Sequence, residues 1–224
     1  AFLPIVLLTA ALALALHVWS REPYVFRSAS LGVRATAARL FGNARLRWFL
    51  VAYMLFAFTW QSTTGFLPTF LQAEKGFSVG LASTGFAVLF LVGMLVKPIS
   101  GALGDRFPRT AVAVGALLLG LSGLSGLLFV ERTSLIFAGI AVFAAGLMSF
   151  PPVMQAYFMD LFPDESMGGD LGGMRTLYVG FGSLGPTYVG FVGGTESYAV
   201  AFVGLVVCLL AAAVIVAGYE LRYR

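Results

Sequence analysis

The charged residues of this sequence are few, and most of them lie in short stretches between long apolar runs. Residues 101–110 form one such stretch, in which small residues accompany ions: Gly101, Gly104, Asp105, Arg106 and Arg109. Carboxylate and guanidinium groups at this spacing can pair with one another, but they supply neither a nucleophile nor a metal site. One cysteine and one histidine exclude a Cys/His metal cluster within the sequence and disfavour thiol chemistry. We therefore predict that the protein is not an enzyme and has no catalytic residue, bound metal or cofactor.

Uncharged segments flank this stretch on both sides. Residues 79–96 and 111–130 contain no charged side chain, and each is long enough to cross a bilayer at about 20 residues per helical crossing. A connection this short makes the two crossings antiparallel neighbours. Gly101 and Gly104 predict close approach of another helix where the first crossing ends. Asp105 is expected in the turn, where its carboxylate would cap the following helix.

The composition of the whole chain indicates whether water or lipid surrounds the folded protein. Hydrophobic residues make up 59% of the sequence, charged residues make up 11%, and the mean hydropathy is +0.93. A soluble domain has about 25% charged residues, so this composition predicts an integral membrane protein with the lipid bilayer as its surroundings. The net charge of +4 lies in the segments that flank the apolar runs, and we predict no nucleic-acid partner.

The apolar pattern predicts seven membrane crossings. They are residues 1–19, 48–71, 79–100, 110–130, 134–160, 171–194 and 198–219. If alternate connections share a side, every lysine and arginine except Lys75 and Arg132 falls on one side. Cations concentrate in cytoplasmic connections, so the long basic loop, the stretch at 101–110 and the C-terminus are predicted to be cytoplasmic. We expect the protein in the plasma membrane.

Residues 21–47 form the longest connection. They contain a single acid, Glu22, and six arginines: Arg21, Arg27, Arg34, Arg39, Arg45 and Arg47. Apolar residues scattered among the arginines are typical of a short amphipathic helix on an anionic membrane face. A flexible basic linker is the alternative interpretation.

The stretch at 101–110 resembles the signature loop of the major facilitator superfamily of secondary transporters. The family pattern is roughly Gly-x-Leu-[Ala/Gly]-Asp-Arg-[aromatic]-Gly-Arg-[Arg/Lys]. The matching residues are Gly101, Leu103, Gly104, Asp105, Arg106, Phe107 and Arg109. Pro108 replaces the usual glycine and Thr110 replaces a cation, which makes this loop stiffer and one charge poorer.

The resemblance implies an all-α membrane protein built as one half of a larger transporter. Members have two six-helix halves joined by a long cytoplasmic loop. On that mapping residues 1–20 are a truncated helix six, residues 21–47 are the loop between the halves, and residues 48–224 are the C-terminal six-helix bundle. The sequence begins at Ala1 inside an apolar segment, so we expect a fragment or processed form whose partner is a missing N-terminal six-helix half. The alternative mapping is a first half with an extra leading helix.

The same resemblance implies alternating access, in which the two halves rock about a site at the membrane midplane. A small solute is then the substrate, with a proton or ion as a partner where transport is coupled. No ionisable residue is predicted at a helix centre, so a coupling carboxylate lies in the missing half or the protein is a uniporter. The resemblance also implies a cytoplasmic charge network that holds one access state closed, formed by Asp105, Arg106, Arg109 and Asp160.

Two groups of polar residues are candidates for binding the solute. Gln61 and Thr64 lie near the middle of a predicted crossing, next to two further hydroxyl residues at positions 62 and 63. Gln155 and Tyr157 follow a proline pair that is expected to kink its crossing. Hydrogen bonds between helices are the alternative role for the first group, and anchoring at the membrane interface is the alternative role for Tyr157.

The predicted crossing at 171–194 is rich in glycine and contains Pro186. Such a segment can bend as a rocking helix, or its glycines can simply allow close packing. A multi-pass membrane scaffold or sensor without transport is the alternative function for the protein. A polar midplane site facing a cavity favours the transporter, whereas a solid apolar core favours the scaffold.

Overall fold

The computed structural model describes residues 3–19 and 33–223, and every regular element in these residues is an α-helix. The helices are α1 (Leu3–Trp19), α2 (Val33–Gly42), α3 (Ala44–Lys75), α4 (Val79–Arg106), α5 (Arg109–Phe129), α6 (Thr133–Met159), α7 (Met167–Gly182), α8 (Leu184–Thr195) and α9 (Tyr198–Tyr223). They belong to two units: the first holds α1, an apolar helix of 17 residues, and the second holds α2 to α9.

The predicted all-α membrane fold is confirmed. Four helices, α4, α5, α6 and α9, are long and apolar enough to cross a membrane. The remaining two predicted crossings of the bundle correspond to α3, which is 32 residues long, and to the pair α7 and α8. The described part of the basic segment is helical, as α2 and the start of α3, whereas residues 21–32 lie outside the described residues.

Local sequence determines where α3 begins and ends, and where α4 begins. Asn43 caps the start of α3, because its side chain accepts hydrogen bonds from the N–H groups of Arg45 and Leu46. Gly76 ends the helix with a φ of 65°, a left-handed conformation that glycine adopts without strain. Ser78 then caps α4 by accepting a bond from the Leu81 N–H. Such short turns make successive helices antiparallel.

The antiparallel order brings the start of α3, α5 and α7 to the same end of the bundle as the end of α4, α6 and α9. We call this the arginine-rich end. Its arginines include Arg45, Arg47, Arg106, Arg109 and Arg222.

The predicted loop at 101–110 is mostly helical. The α4 helix continues to Arg106, and only Phe107 and Pro108 separate it from α5. Proline disfavours a helical conformation in the residue before it, and Phe107 accordingly has an extended φ of −122° and ψ of 160°. The prediction that Asp105 caps the next helix is therefore wrong: Asp105 lies in the last turn of α4, and the cap position of α5 is Pro108, which has no side-chain bond.

Helices α5 and α6 pack with their backbones in contact. A Cβ built on Gly146 would lie 2.0 Å from the Gly120 nitrogen, and one built on Gly123 would lie 2.3 Å from the Phe143 nitrogen. Only glycine permits this approach at these positions, which explains the small residues on both helices. Gly126 has open space within 4 Å, so the small residue at that position does not contribute to this contact.

The α7–α8 segment breaks at Ser183, in the middle of the predicted crossing at 171–194. Pro186 lacks an N–H group, so it cannot continue the helical bonding to the Gly182 carbonyl. Gly182 and Gly185 pack on α3, and a Cβ on Gly185 would lie 2.5 Å from the Phe58 carbonyl oxygen. The proline pair at 151–152 has a smaller effect, because α6 runs without interruption from residue 133 to residue 159.

Candidate functional site

Arg109 connects three helices at the arginine-rich end. It lies in the first turn of α5, and its guanidinium donates hydrogen bonds to the Asp160 carboxylate at the end of α6 and to the Ala156 carbonyl oxygen, the latter at 2.7 Å. Its Nη2 atom also lies 3.9 Å from Oδ1 of Asp105, one turn earlier across the break between α4 and α5. The structure therefore brings together Asp105, Arg109 and Asp160. We call them the signature network.

The other residues of the signature stretch contribute differently. Arg106 is exposed and pairs with no carboxylate among the described residues. A Cβ on Gly104 would lie 3.5 Å from Val153 of α6, so the predicted close approach of a helix is confirmed at this glycine. At Gly101 no atom of the described residues lies within 4 Å of the same position, so none of the described helices makes the predicted close approach there.

Thr110, which stands where the family has a cation, has a partner of its own. Its hydroxyl donates a hydrogen bond of 2.5 Å to Oε2 of Glu220 near the end of α9. A hydrogen bond to a carboxylate is stronger than one between neutral groups. The departure from the family pattern thus links α5 to α9, a contact that the sequence analysis missed because residues 110 and 220 are far apart in the chain.

Tyr157 is buried at the same end and contacts Arg45 of α3. The Arg45 Nε donates a hydrogen bond to the Tyr157 hydroxyl, and the guanidinium carbon lies 5.0 Å from the ring centroid. The ring also packs on Phe49, with centroids 4.8 Å apart. These contacts hold Tyr157 within the bundle, and both of its suggested roles, solute ligand and anchor at the membrane interface, stay predictions.

Asp170 is the centre of a second polar cluster, which the sequence analysis missed. Its side chain is fully buried and accepts two hydrogen bonds of 2.8 Å from the Nε and Nη2 atoms of Arg39. The hydroxyls of Thr36 and Ser166 each donate a further bond of 2.7 Å. Burial raises the pKa of Asp170, but the hydrogen bonds from these three side chains outweigh it and leave the pKa below its ordinary value.

Arg39 and Thr36 belong to α2, so this cluster docks the basic connection onto the start of α7. Gly173 makes the contact possible, because a Cβ there would lie 2.7 Å from the Thr36 methyl carbon. Leu40 of α2 is also buried. The described part of the basic segment is thus helical, and one face of α2 is held by protein contacts. That the segment lies on an anionic membrane face stays a prediction. The pairing of Arg39 with Asp170 spans 131 residues, and no local pattern could have revealed it.

Gln61 lies near the middle of α3, against the break between α7 and α8. Its Nε2 donates a hydrogen bond of 3.1 Å to the Val179 carbonyl oxygen, and Gly182 leaves the space that its amide occupies. Thr64 donates to carbonyl oxygens of its own helix, at 2.9 Å from Trp60 and 3.1 Å from residue 61. Both residues make helix contacts in this conformation, and their solute-binding role stays a prediction.

Gln155 lines a surface crevice between α6 and α7, of about 270 Å³. The lining residues are Gln155, Met159, Leu171, Gly172, Met174, Arg175 and Tyr178. We call this space the α6–α7 crevice. Tyr178 forms its buried wall and packs on Tyr53 of α3, with ring centroids 4.3 Å apart. The crevice therefore combines an amide and a guanidinium with a rigid apolar wall.

Comparisons with known proteins agree with this architecture. A family model described as the Major Facilitator Superfamily matches residues 1–186 and, in a second alignment, residues 49–223. The crystal structure of a fucose:proton symporter from E. coli has a TM-score of 0.77 with this chain at 14% sequence identity. That likeness covers 96% of this chain and 54% of the symporter, so the chain spans about half the length of that protein.

A search of curated proteins found no match. At 14% identity the symporter shows a shared fold, and the family model carries the assignment. The model covers far more than half of the sequence, and the helical bundle carries the signature residues at the junction of two crossings. This chain therefore belongs to the major facilitator superfamily.

Proposed function

We propose that this chain is the C-terminal half of a secondary transporter that moves a small solute across the plasma membrane by alternating access. The observation that carries the proposal is the signature network, in which Asp105, Arg109 and Asp160 tie α4, α5 and α6 together at one end of the bundle. The network lies at one end of the helices, a position at which a barrier to solute passage can form. The partner for this movement is an N-terminal six-helix half.

The arginine-rich end faces the cytoplasm in this proposal. In the bundle from α2 to α9, the described cations other than Lys75 and Arg132 lie at or toward that end. The positive-inside tendency of membrane proteins supports this orientation. The docked α2 helix would then be part of a cytoplasmic loop between the two halves.

The signature network would hold the cytoplasmic end closed in one access state. Its side chains are partly exposed: 24% for Arg109 and 60% for Asp160. Exposed ion pairs contribute about 0–1 kcal/mol, so this network can break and re-form without a large energetic barrier. A weak contact present in only one state is suited to biasing a conformational equilibrium, because it changes the populations without abolishing either state.

Solute counterflow into proteoliposomes tests the proposal with the complete protein. Vesicles loaded with an unlabelled solute should transiently accumulate the same labelled solute, since a carrier exchanges solute across the membrane. A panel should contain neutral sugars, amino acids and organic anions, with empty vesicles as the control. The alternative of a non-transporting scaffold or sensor predicts no exchange of any member of the panel beyond empty vesicles.

A residue that couples solute transport to a proton or ion is the remaining part of the proposal. The described helices carry no carboxylate near a helix centre, so coupling would use a residue of the other half, or transport would be facilitative. If Asp160→Asn removed solute accumulation but left exchange intact, that assignment would be wrong, because Asp160 would itself be the coupling carboxylate.

A further inference from the structure

Arg175 lies farther from the start of its helix than the predicted crossing indicates. The predicted crossing begins at residue 171, which would place Arg175 at a helix end, but α7 begins at Met167. Arg175 is therefore eight residues from the start of α7, about 12 Å along the helix at 1.5 Å per residue. Its side chain is exposed in the α6–α7 crevice and forms no ion pair with another described residue.

The carboxylates nearest in sequence do not neutralise Arg175. Asp160 pairs with Arg109, and Asp170 pairs with Arg39. Asp164 and Glu165 lie in the connection before α7, and neither lines the crevice. A cation within a membrane-spanning helix is costly unless it meets an anion or water. The α6–α7 crevice thus presents a positive charge that no described carboxylate offsets.

The shape of the α6–α7 crevice suits a small organic molecule. Its volume of about 270 Å³ is just below the ~300–1,000 Å³ of ligand pockets. Gly172 keeps one side open, because no atom lies within 4 Å of the position of a Cβ there. The apolar part of the lining comes from Met159, Leu171 and Met174.

We infer that the α6–α7 crevice binds the anionic group of the transported solute, which is a small organic acid or phosphate ester. Arg175 would hold the carboxylate or phosphate oxygens through two parallel N–H bonds, a geometry that guanidinium provides and ammonium does not. Gln155 would bind a neutral polar group of the same molecule, since its amide both donates and accepts. This inference rests on the proposed transport function.

The phosphate of a lipid is the other source of such an anion, and the walls of the crevice argue for a soluble solute. The crevice lies between α6 and α7, and its buried wall, Tyr178, packs on Tyr53 of α3. Three helices of the bundle therefore contribute to it, as is common for small-molecule sites between the helices of a bundle.

Binding to the purified complete protein tests the inference with three pairs of probes. Lactate and lactamide, succinate and succinamide, and glucose 6-phosphate and glucose differ mainly in their anionic group. At least one anion should raise the melting temperature more than its neutral analogue. The Arg175→Gln variant should need an anion concentration about ten-fold higher or more for the same rise in melting temperature. The Arg175→Lys variant should retain part of the effect. Arg132→Gln, an exposed arginine at the opposite end, should leave it unchanged.

Three results would overturn the inference. The first is that no anion stabilises the protein more than its neutral analogue, and the second is that Arg175→Gln keeps the full effect. The third is that vesicles of phosphatidylglycerol, but not of phosphatidylcholine, remove the effect, since the crevice would then be a lipid site. Counterflow distinguishes failure of this inference from failure of the proposed function. If the Arg175→Gln variant exchanges neutral solutes as well as the parent protein does, the protein is a transporter without an anion site.

Discussion

Single side chains at the arginine-rich end show two different uses of an arginine–carboxylate pair. Arg109 and Asp160 form a partly exposed pair whose strength is limited by water. Arg39 and Asp170 form a pair in which the carboxylate is fully buried and accepts hydrogen bonds from three side chains. The first pair is suited to opening and closing, whereas the second is suited to holding α2 permanently in place, because a buried carboxylate without partners is costly.

The lowered pKa of Asp170 predicts how the docking of α2 depends on pH. Docked Asp170 binds a proton less tightly than it does when α2 is released, so its contribution is complete above the ordinary pKa of about 4. The contribution is lost as the pH falls through the lowered value. A spin label at Ala38→Cys, an exposed position of α2, should therefore become more mobile only on acidification below about pH 4.

Two variants serve as controls for this pH experiment, both in a Cys208→Ser background. Asp170→Asn should make the label mobile at neutral pH, because the amide cannot accept the same charge-assisted bonds. Asp164→Asn changes an exposed acid of the connection before α7 and should leave the pH response unchanged. A label whose mobility does not differ between Asp170→Asn and the parent protein would show that Asp170 does not hold α2.

At the scale of elements, α5 and α6 make the closest backbone contact at any described glycine of the bundle. Gly146→Ala would place a Cβ 2.0 Å from the Gly120 nitrogen and 2.6 Å from the Ala116 carbonyl oxygen. Backbone atoms cannot rotate away as a side chain can, so the helices must separate. We expect a loss of about 1–3 kcal/mol in the free energy of unfolding, measured by denaturation in detergent.

Gly126→Ala is the matched control for Gly146→Ala. It lies on α5 and has no atom within 4 Å of its Cβ position, so the substitution should not lower stability and can raise it slightly through helix propensity. Equal stability of the two variants would contradict the packing described for α5 and α6.

Hydropathy and glycine or proline positions made most of these elements predictable from the sequence. The α4, α5, α6 and α9 helices coincide with predicted crossings, because a segment that crosses the hydrocarbon core must be a long apolar helix. The bend at Pro186 was also predictable, since proline removes a backbone donor. The loop at 101–110 was harder, because the same glycines and charges fit either a turn or the last turn of a helix, and Pro108 determines where the break falls.

Long-range partners were the part of the candidate site that the sequence could not reveal. Arg39 and Asp170, and likewise Thr110 and Glu220, meet only because distant helices pack side by side. The resemblance implied a network of Asp105, Arg106, Arg109 and Asp160, and the structure brings together all of these residues except Arg106. Arg175 was assigned to a helix end since the start of α7 had been predicted four residues too late.

At the scale of the whole molecule, the proposed function makes this chain one half of a two-part transporter. The chain shares its fold with about half of a solved symporter, and its apolar helices leave large hydrophobic side chains exposed. Lipid and the other half would cover those side chains. Alternating access requires that closure at one end accompanies opening at the other, so the signature network must influence both ends of the bundle.

Reciprocal accessibility of the two ends tests this central claim most directly. In the complete, cysteine-free protein, a membrane-impermeant thiol reagent would report on Gln155→Cys, near the arginine-rich end, and on Ser83→Cys, near the opposite end of α4. Arg109→Glu breaks the signature network, so it should speed labelling at position 155 and slow it at position 83. Labelling that is unchanged at both positions, or that rises at both, would contradict alternating access controlled by this network.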